Sequence, residues 1–347
     1  MINFISDTVT LPTEEMFKSI LNAELGDDVY GEDITVNTLE SVAAQIVGME
    51  SACFMPSGTM ANLSSILAHC PRGSKVLVGN ESDIYIYEAG GASVCGGIVY
   101  EPIPTQADGS LSIPDLEKGF PVDKEDSQYA LPALICLENS HNRCGGRVLP
   151  LNYLREVAEF AAKKDVPIHM DGARIFNASI SLGIDIKEIT KYVDSIQFCL
   201  SKGLSAPVGS IVAGNRLFIE KVRRIRKMLG GGMRQSGIIA APALVALKSM
   251  VNRLEIDHAN AKILAEGLST IKGININPDL VETNIVSFDV TGLNISCFEF
   301  INEMKKNGVQ FSEMGHNRIR AVVHRHITQK DINDTIKTIE SLYCIPA

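Results

Sequence analysis

Among the residues able to do covalent chemistry, Lys202 has the most telling surroundings, Leu200-Ser201-Lys202-Gly203-Leu204. The stretch before it, Ser195-Ile196-Gln197-Phe198-Cys199, reads as a short buried strand, so the lysine stands at a strand's mouth. Gly203 beside it lets other groups come close. Burial at such a place lowers the amine's pKa and frees it to form a Schiff base with a carbonyl. Taken by itself, Ser-Lys-Gly is more plainly a surface lysine after a strand.

What changes that reading lies 31 residues upstream, where Val166-Pro167-Ile168-His169-Met170-Asp171-Gly172-Ala173-Arg174 forms a second short strand ending in an acid and an arginine. A helix-like segment from Lys187 to Val193 separates the two strands. Strand, crossover and strand make a parallel unit, so both strand ends open at one edge of the sheet. Asp171 and Lys202 then face one crevice. That pair suits pyridoxal phosphate: the lysine holds the aldehyde, and the acid keeps the pyridine nitrogen protonated. An aspartate at a strand end also reads as a metal ligand or a helix cap.

Other segments supply what such a site needs. Ser57-Gly58-Thr59 opens an apolar helix through Leu63, Ile66 and Leu67, and its exposed N–H groups favour a phosphate. Ser57 or Thr59 reads equally as a plain N-cap. Asp83 follows the strand Val76–Gly79 and is a candidate acid or base, a helix cap being its commoner role. The polar run Glu138-Asn139-Ser140-His141-Asn142 ends another strand and belongs to the site edge, with a structural His141 as the alternative. Three glycines before Arg234 let backbone approach an anion. Arg320, inside the apolar strand Ile319–Val323, needs a carboxylate partner from the chain or from a ligand.

These elements alternate as in an α/β protein with a mainly parallel central sheet sandwiched by helices. A chain of 347 residues suffices for about two domains: an N-terminal arm and large domain over 1–245, and a smaller α/β domain over 246–347. One long helical region, Ile238 to Leu268, links them. The formal charge of -9 argues against a nucleic-acid partner. No stretch has the run of apolar residues a membrane span needs, and the N-terminus lacks a signal peptide. Eight cysteines stand singly without a Cys-x-x-Cys pair, so neither a metal site nor a disulfide framework is expected. They fit buried thiols of a cytoplasmic protein.

Six motifs in order, Ser6-Asp7-Thr8-Val9-Thr10, Gly26-Asp27-Asp28-Val29-Tyr30-Gly31, Ser57-Gly58-Thr59-Met60-Ala61-Asn62, Asp171-Gly172-Ala173-Arg174, Leu200-Ser201-Lys202-Gly203 and Gly230-Gly231-Gly232-Met233-Arg234-Gln235-Ser236-Gly237, span nearly the whole chain. In these the sequence resembles the L-threonine aldolases, pyridoxal phosphate enzymes of the aspartate-aminotransferase fold (fold type I). The resemblance implies that Lys202 is the Schiff-base lysine and Asp171 the partner of the pyridine nitrogen. It implies a phosphate site at Ser57, Gly58 and Thr59, and Arg174 in contact with cofactor or substrate. Ser6 and Arg320 would bind the substrate carboxylate. It further implies a homo-oligomer, a dimer or a dimer-based tetramer, with Tyr30 and Arg234 near a subunit boundary as substrate- and cofactor-binding residues. Where the family usually has a histidine over the cofactor ring, this chain has Asp83. The expected reaction is retro-aldol cleavage of a β-hydroxy-α-amino acid to glycine and an aldehyde. β-Elimination, racemisation, or cofactor binding without catalysis are the alternatives.

Overall fold

The computed structural model describes residues 1–343. Seven strands form the central sheet: β1 (Ser51–Met55), β2 (Lys75–Gly79), β3 (Val99–Ile103), β4 (Pro132–Glu138), β5 (Ile168–Asp171), β6 (Ser195–Cys199) and β7 (Ser210–Gly214). Their order across the sheet is β1-β7-β6-β5-β4-β2-β3. β2 to β6 run parallel, while β7 is antiparallel to both its neighbours, β1 and β6. The strands β5 and β6 are buried along their whole length, as helices covering both faces require. Parallel pairing of β4, β5 and β6 brings the C-terminal ends of all three to one edge.

Of the helices α1 (Glu14–Leu21), α2 (Ile34–Val47) and α3 (Gly58–His69), the last opens at the site and supplies Gly58, Thr59 and Asn62 to it. The crossover between β5 and β6 contains the helix Ile175–Leu182, absent from the sequence reading, and only one helical turn, Lys187–Thr190, where a helix to Val193 was expected. The expected helical run from Ile238 to Leu268 is interrupted: Gly237–Met250 and Leu254–Ser269 meet at 66°. No single helix among the described residues is long and apolar enough to cross a membrane.

A second apolar core gathers Phe4, Leu264, Leu268, Phe288, Phe300 and Ile339. Around it lie the antiparallel strands Ser312–Glu313, Arg318–Val322 and Ile285–Asp289, with the helices Cys297–Lys306 and Gln329–Tyr343. The N-terminal strand Ile2–Asn3 pairs parallel with Val309–Gln310, so the arm starts on this C-terminal unit before reaching the large sheet.

Candidate active site

Lys202 and Asp171 line one cavity of about 360 Å³ at the C-terminal edge of the parallel strands, with Ser57, Gly58, Thr59, Asp83, Tyr87 and Glu88. A larger cleft of about 530 Å³ opens beside Pro167 and Asp194, at the other end of β5 and β6. There Lys191 is paired with Glu188 and Asp194 accepts the Ile168 N–H, so no free groups converge.

Lys202 stands in the loop that turns β6 back into β7. Its carbonyl accepts from Thr10 Oγ1 at 2.7 Å and from the Ser205 N–H at 2.8 Å. A Cβ on Gly203 would come within 2.9 Å of Leu254 Cδ2, so this loop packs closely on the helix Leu254–Ser269. The expectation of a lowered lysine pKa is overturned. Burial pulls it down, but Cys199, Asp171 and Asp7 together outweigh burial and the nearby Arg174, and the amine's pKa is raised.

Asp171, buried at the end of β5, accepts from Gln197 Nε2 at 2.5 Å, Asn62 Nδ2 at 2.8 Å and the Ala173 N–H at 3.0 Å. Burial, with Asp83 adding to it, raises its pKa against the pull of Lys202. Glu88 shares the Asn62 amide at 2.8 Å, and burial and then Asp171 push its carboxyl well above the usual range. Asn62, Gln197 and Glu88 were given no role from sequence. The polar Gln197 inside an otherwise apolar buried strand was the available signal.

At the start of α3, Ser57 is the N-cap and its Oγ accepts the Met60 N–H at 3.2 Å. The next N–H groups, on Gly58 and Thr59, belong to the first turn and have no carbonyl inside the helix. A Cβ on Gly58 would lie 3.0 Å from Cys199 Sγ, so this turn is pressed against the end of β6.

Asp83 is the first residue of the one-turn helix Asp83–Ile86, whose N-cap is Ser82. Its carboxylate accepts from Asn142 Nδ2 at 3.0 and 3.3 Å. The same Asn142 accepts from Arg320 Nη1 at 2.7 Å, so one amide joins Asp83 to Arg320. Arg320 otherwise donates to Ser312 Oγ at 3.2 Å and the Ile5 carbonyl at 3.0 Å. All three of its partners are neutral oxygens, and no carboxylate pairs with it among the described residues. Burial, then repulsion from Arg174, lowers its pKa. Glu138 anchors this corner: its carboxyl accepts the backbone N–H of both Asp83 and Asn142 at 2.8 Å. His141 is buried behind it, pushed down to about 4 by that burial, and does not line the cavity.

Arg174 is held by Asp7 of the arm in a two-pronged buried ion pair, at 2.8 and 2.7 Å. Burial would raise the Asp7 carboxyl, yet the guanidinium keeps it well below the usual range. The neighbouring Ser6 Oγ accepts the Thr8 N–H at 3.2 Å. Tyr30 and Arg234 do come together, with the guanidinium 5.9 Å from the ring centroid and Asp27 accepting from it at 2.7 Å. Neither lines the Lys202 cavity, and Tyr30 instead borders a second one with Arg223 and Arg226.

The beta-eliminating lyase family profile matches residues 3–291. The chain is 43% identical over 341 residues to low-specificity L-threonine aldolase 1 of Arabidopsis thaliana, covering 98% of this chain and 95% of that one. It belongs to the threonine aldolase family of beta-eliminating lyases. The low specificity L-threonine aldolase of Escherichia coli K12 is 49% identical over 268 residues, 77% of this chain and 79% of the relative. A solved structure of Leishmania major threonine aldolase superposes with a TM-score of 0.82 at 16% identity, covering 99% of this chain and 100% of that one, which shows a shared fold.

Threonine aldolases depend on pyridoxal phosphate. The site fits that group: a lysine and a buried acid at strand ends, a helix start with N–H groups free for a phosphate, and a cavity between them.

Proposed function

We propose that this threonine aldolase family member cleaves a β-hydroxy-α-amino acid, of the threonine or allo-threonine kind, to glycine and an aldehyde. The observation that carries the reading is Arg320, a half-buried guanidinium without a carboxylate, tied through one amide to Asp83 at the Lys202 cavity. When bound, pyridoxal phosphate supplies an aldehyde for Lys202 and a ring that draws in the electrons of the broken carbon–carbon bond. The chain's own residues then divide the work. Asp171, fixed by three donors, holds the proton at the pyridine nitrogen. The N–H groups of Gly58 and Thr59, with Ser57, take the phosphate. Arg320, with Ser6 nearby on the arm, takes the substrate's α-carboxylate. Asp83 removes the β-hydroxyl proton, and Asn142 keeps its carboxylate turned to that task. Arg174, locked by Asp7, ties the N-terminal arm to the end of β5 behind Ala173, which lines the cavity.

The protein works as a homo-oligomer in this reading. Phe17 and Leu21 of α1, Tyr30 and Ile34 are large apolar side chains left 56%, 85%, 73% and 56% exposed on neighbouring segments, which supports burial against a second copy. Tyr30 and Arg234 would then serve the partner's site. Two units are kept in this reading, with the boundary between Leu254 and Ala261 in place of 245 and 246: Ala246, Leu247, Met250 and Leu254 pack in the core of the large sheet, and the buried members of the second core other than Phe4 begin at Ala261. Seven unpaired cysteines among the described residues support a cytoplasmic address. Incubation of the protein, loaded with pyridoxal phosphate, with a panel of β-hydroxy amino acids should release glycine. Release of ammonia and a keto acid, or inversion at Cα without glycine, would refute the aldolase reading.

A further inference from the structure

Beneath α3, the face of the central sheet is polar where packing alone calls for apolar side chains. His169 and Asp171 share one face of β5, and Ser195 and Gln197 share one face of β6. The register sets His169 against Ser195 and Asp171 against Gln197, and all four are at most 2% exposed. Asn62 and His69, two turns apart on α3, meet this patch from above.

The contacts form a continuous chain. Asn62 Nδ2 spans Glu88 Oε1 and Asp171 Oδ2, both at 2.8 Å. Asn62 Oδ1 lies 3.1 Å from His169 Nε2, His169 Nδ1 lies 2.9 Å from Ser195 Oγ, and Ser195 Oγ lies 2.8 Å from His69 Nε2. Each donor is settled by its neighbour. Two carboxyls on one side of Asn62 require its NH2 there, so its oxygen faces His169 and only accepts. His169 Nε2 then carries the proton and Nδ1 accepts from the Ser195 hydroxyl. The Ser195 oxygen in turn accepts from His69 Nε2. Burial holds both rings neutral: His169 is pushed down to about 3 and His69 to about 4, so neither gains a second proton near neutrality.

We propose that this one-way chain, from His69 through Ser195, His169 and Asn62, sets the grip of Asp171 on the proton-bearing pyridine nitrogen. His169, Ser195 and His69 are positioning residues for the cofactor ring. The inference rests on the reading of Asp171 as the nitrogen's partner. Its mechanism is the orientation of Asn62. Without the His169 N–H, the Asn62 oxygen is left buried without a donor and the amide is held only through its two carboxyl acceptors. Its N–H to Asp171 is then less well fixed and less polarised, so the carboxylate loses part of a donor and its own proton affinity rises.

The test uses the protein loaded with pyridoxal phosphate. Its readouts are the visible absorption of the bound cofactor, the pH midpoint of that band and the cofactor's Kd. Relative to wild type, His169→Leu should move the midpoint and weaken cofactor binding on the order of 10-fold, the size seen for partners one step behind a ligating group. Ser195→Ala should move both in the same direction by less, and His169→Gln, which keeps an N–H donor, should restore most of the loss. A role confined to packing would change the melting temperature while leaving the midpoint in place, and that result overturns the proposal. If His169→Leu does not fold, Ser195→Ala carries the test, since it removes only a hydroxyl. Asp171→Asn separates the two readings. A large shift there with none in His169→Leu or Ser195→Ala sinks the relay alone. No shift in Asp171→Asn sinks the role of Asp171 and the relay with it.

Discussion

Replacing Arg320 by alanine tests the substrate site at its most exposed assumption. In the structure the guanidinium reaches the side-chain oxygens of Asn142 and Ser312 and the Ile5 carbonyl, with no acid to balance its charge. Burial and Arg174 both lower its pKa, so these surroundings disfavour the charge and the free protein gains little from it. A substrate carboxylate would supply the missing partner. Losing such a half-buried, charge-assisted pair costs about 2–4 kcal/mol, or roughly 30- to 1000-fold in kcat/KM. Most of it should fall on KM, because the carboxylate is held alike in substrate and transition state. The fold should lose no more than about 1 kcal/mol. Arg320→Lys should lie between, since an ammonium keeps the charge without the two-pronged geometry. The assay is glycine release across substrate concentrations, with cofactor titration and thermal unfolding run on the same preparations. A variant with wild-type Kd for pyridoxal phosphate, wild-type stability and a kcat/KM within about 3-fold of wild type would refute the reasoning.

Lys202→Ala should abolish the borohydride-reducible cofactor link and cut glycine release by several orders of magnitude; a yellow, reducible variant would show another lysine to be the anchor. Asp83→Asn should lower kcat by about 100-fold or more, as expected for loss of a general base, and Asp83→His, which puts an imidazole at the same cavity wall, should improve threonine cleavage. If rate and substrate preference stay unchanged in both, Asp83 has no catalytic part. Asp7→Ala strands the buried Arg174 and should cost about 3–5 kcal/mol in urea unfolding. Because the Asp7 pKa is lower folded than unfolded, its contribution is complete above the unfolded value of about 3.9 and fades as pH falls below it. Wild-type stability should therefore drop more steeply on acidification than that of Asp7→Asn.

Local pattern was enough to tell which side chains stand at the ends of elements. Lys202 after β6, Asp171 at the end of β5, Ser57–Thr59 at the start of α3 and Asp83 after β2 were all legible, and the structure brings every one of them to a single cavity. Burial periodicity, strand length and helix starts are local properties, so a chain read in order reveals them. The helix Ile175–Leu182 was missed because it is only eight residues long and intersperses Asn177, Ser179 and Ser181 among its apolar residues, which blurs the helical stripe. Which partner each side chain takes was decided only by tertiary structure. Arg174 is claimed by Asp7, 167 residues away, and Arg320 meets Asn142 at a separation of 178. The charge state of Lys202 went the same way. Its burial was foreseeable, but the sign of its shift depends on Cys199 at the end of its own strand and then on Asp171 and Asp7, which arrive beside it from other elements. Coulombic and hydrogen-bond terms act over a few ångströms of space, and chain separation says nothing of those distances until the sheet has assembled.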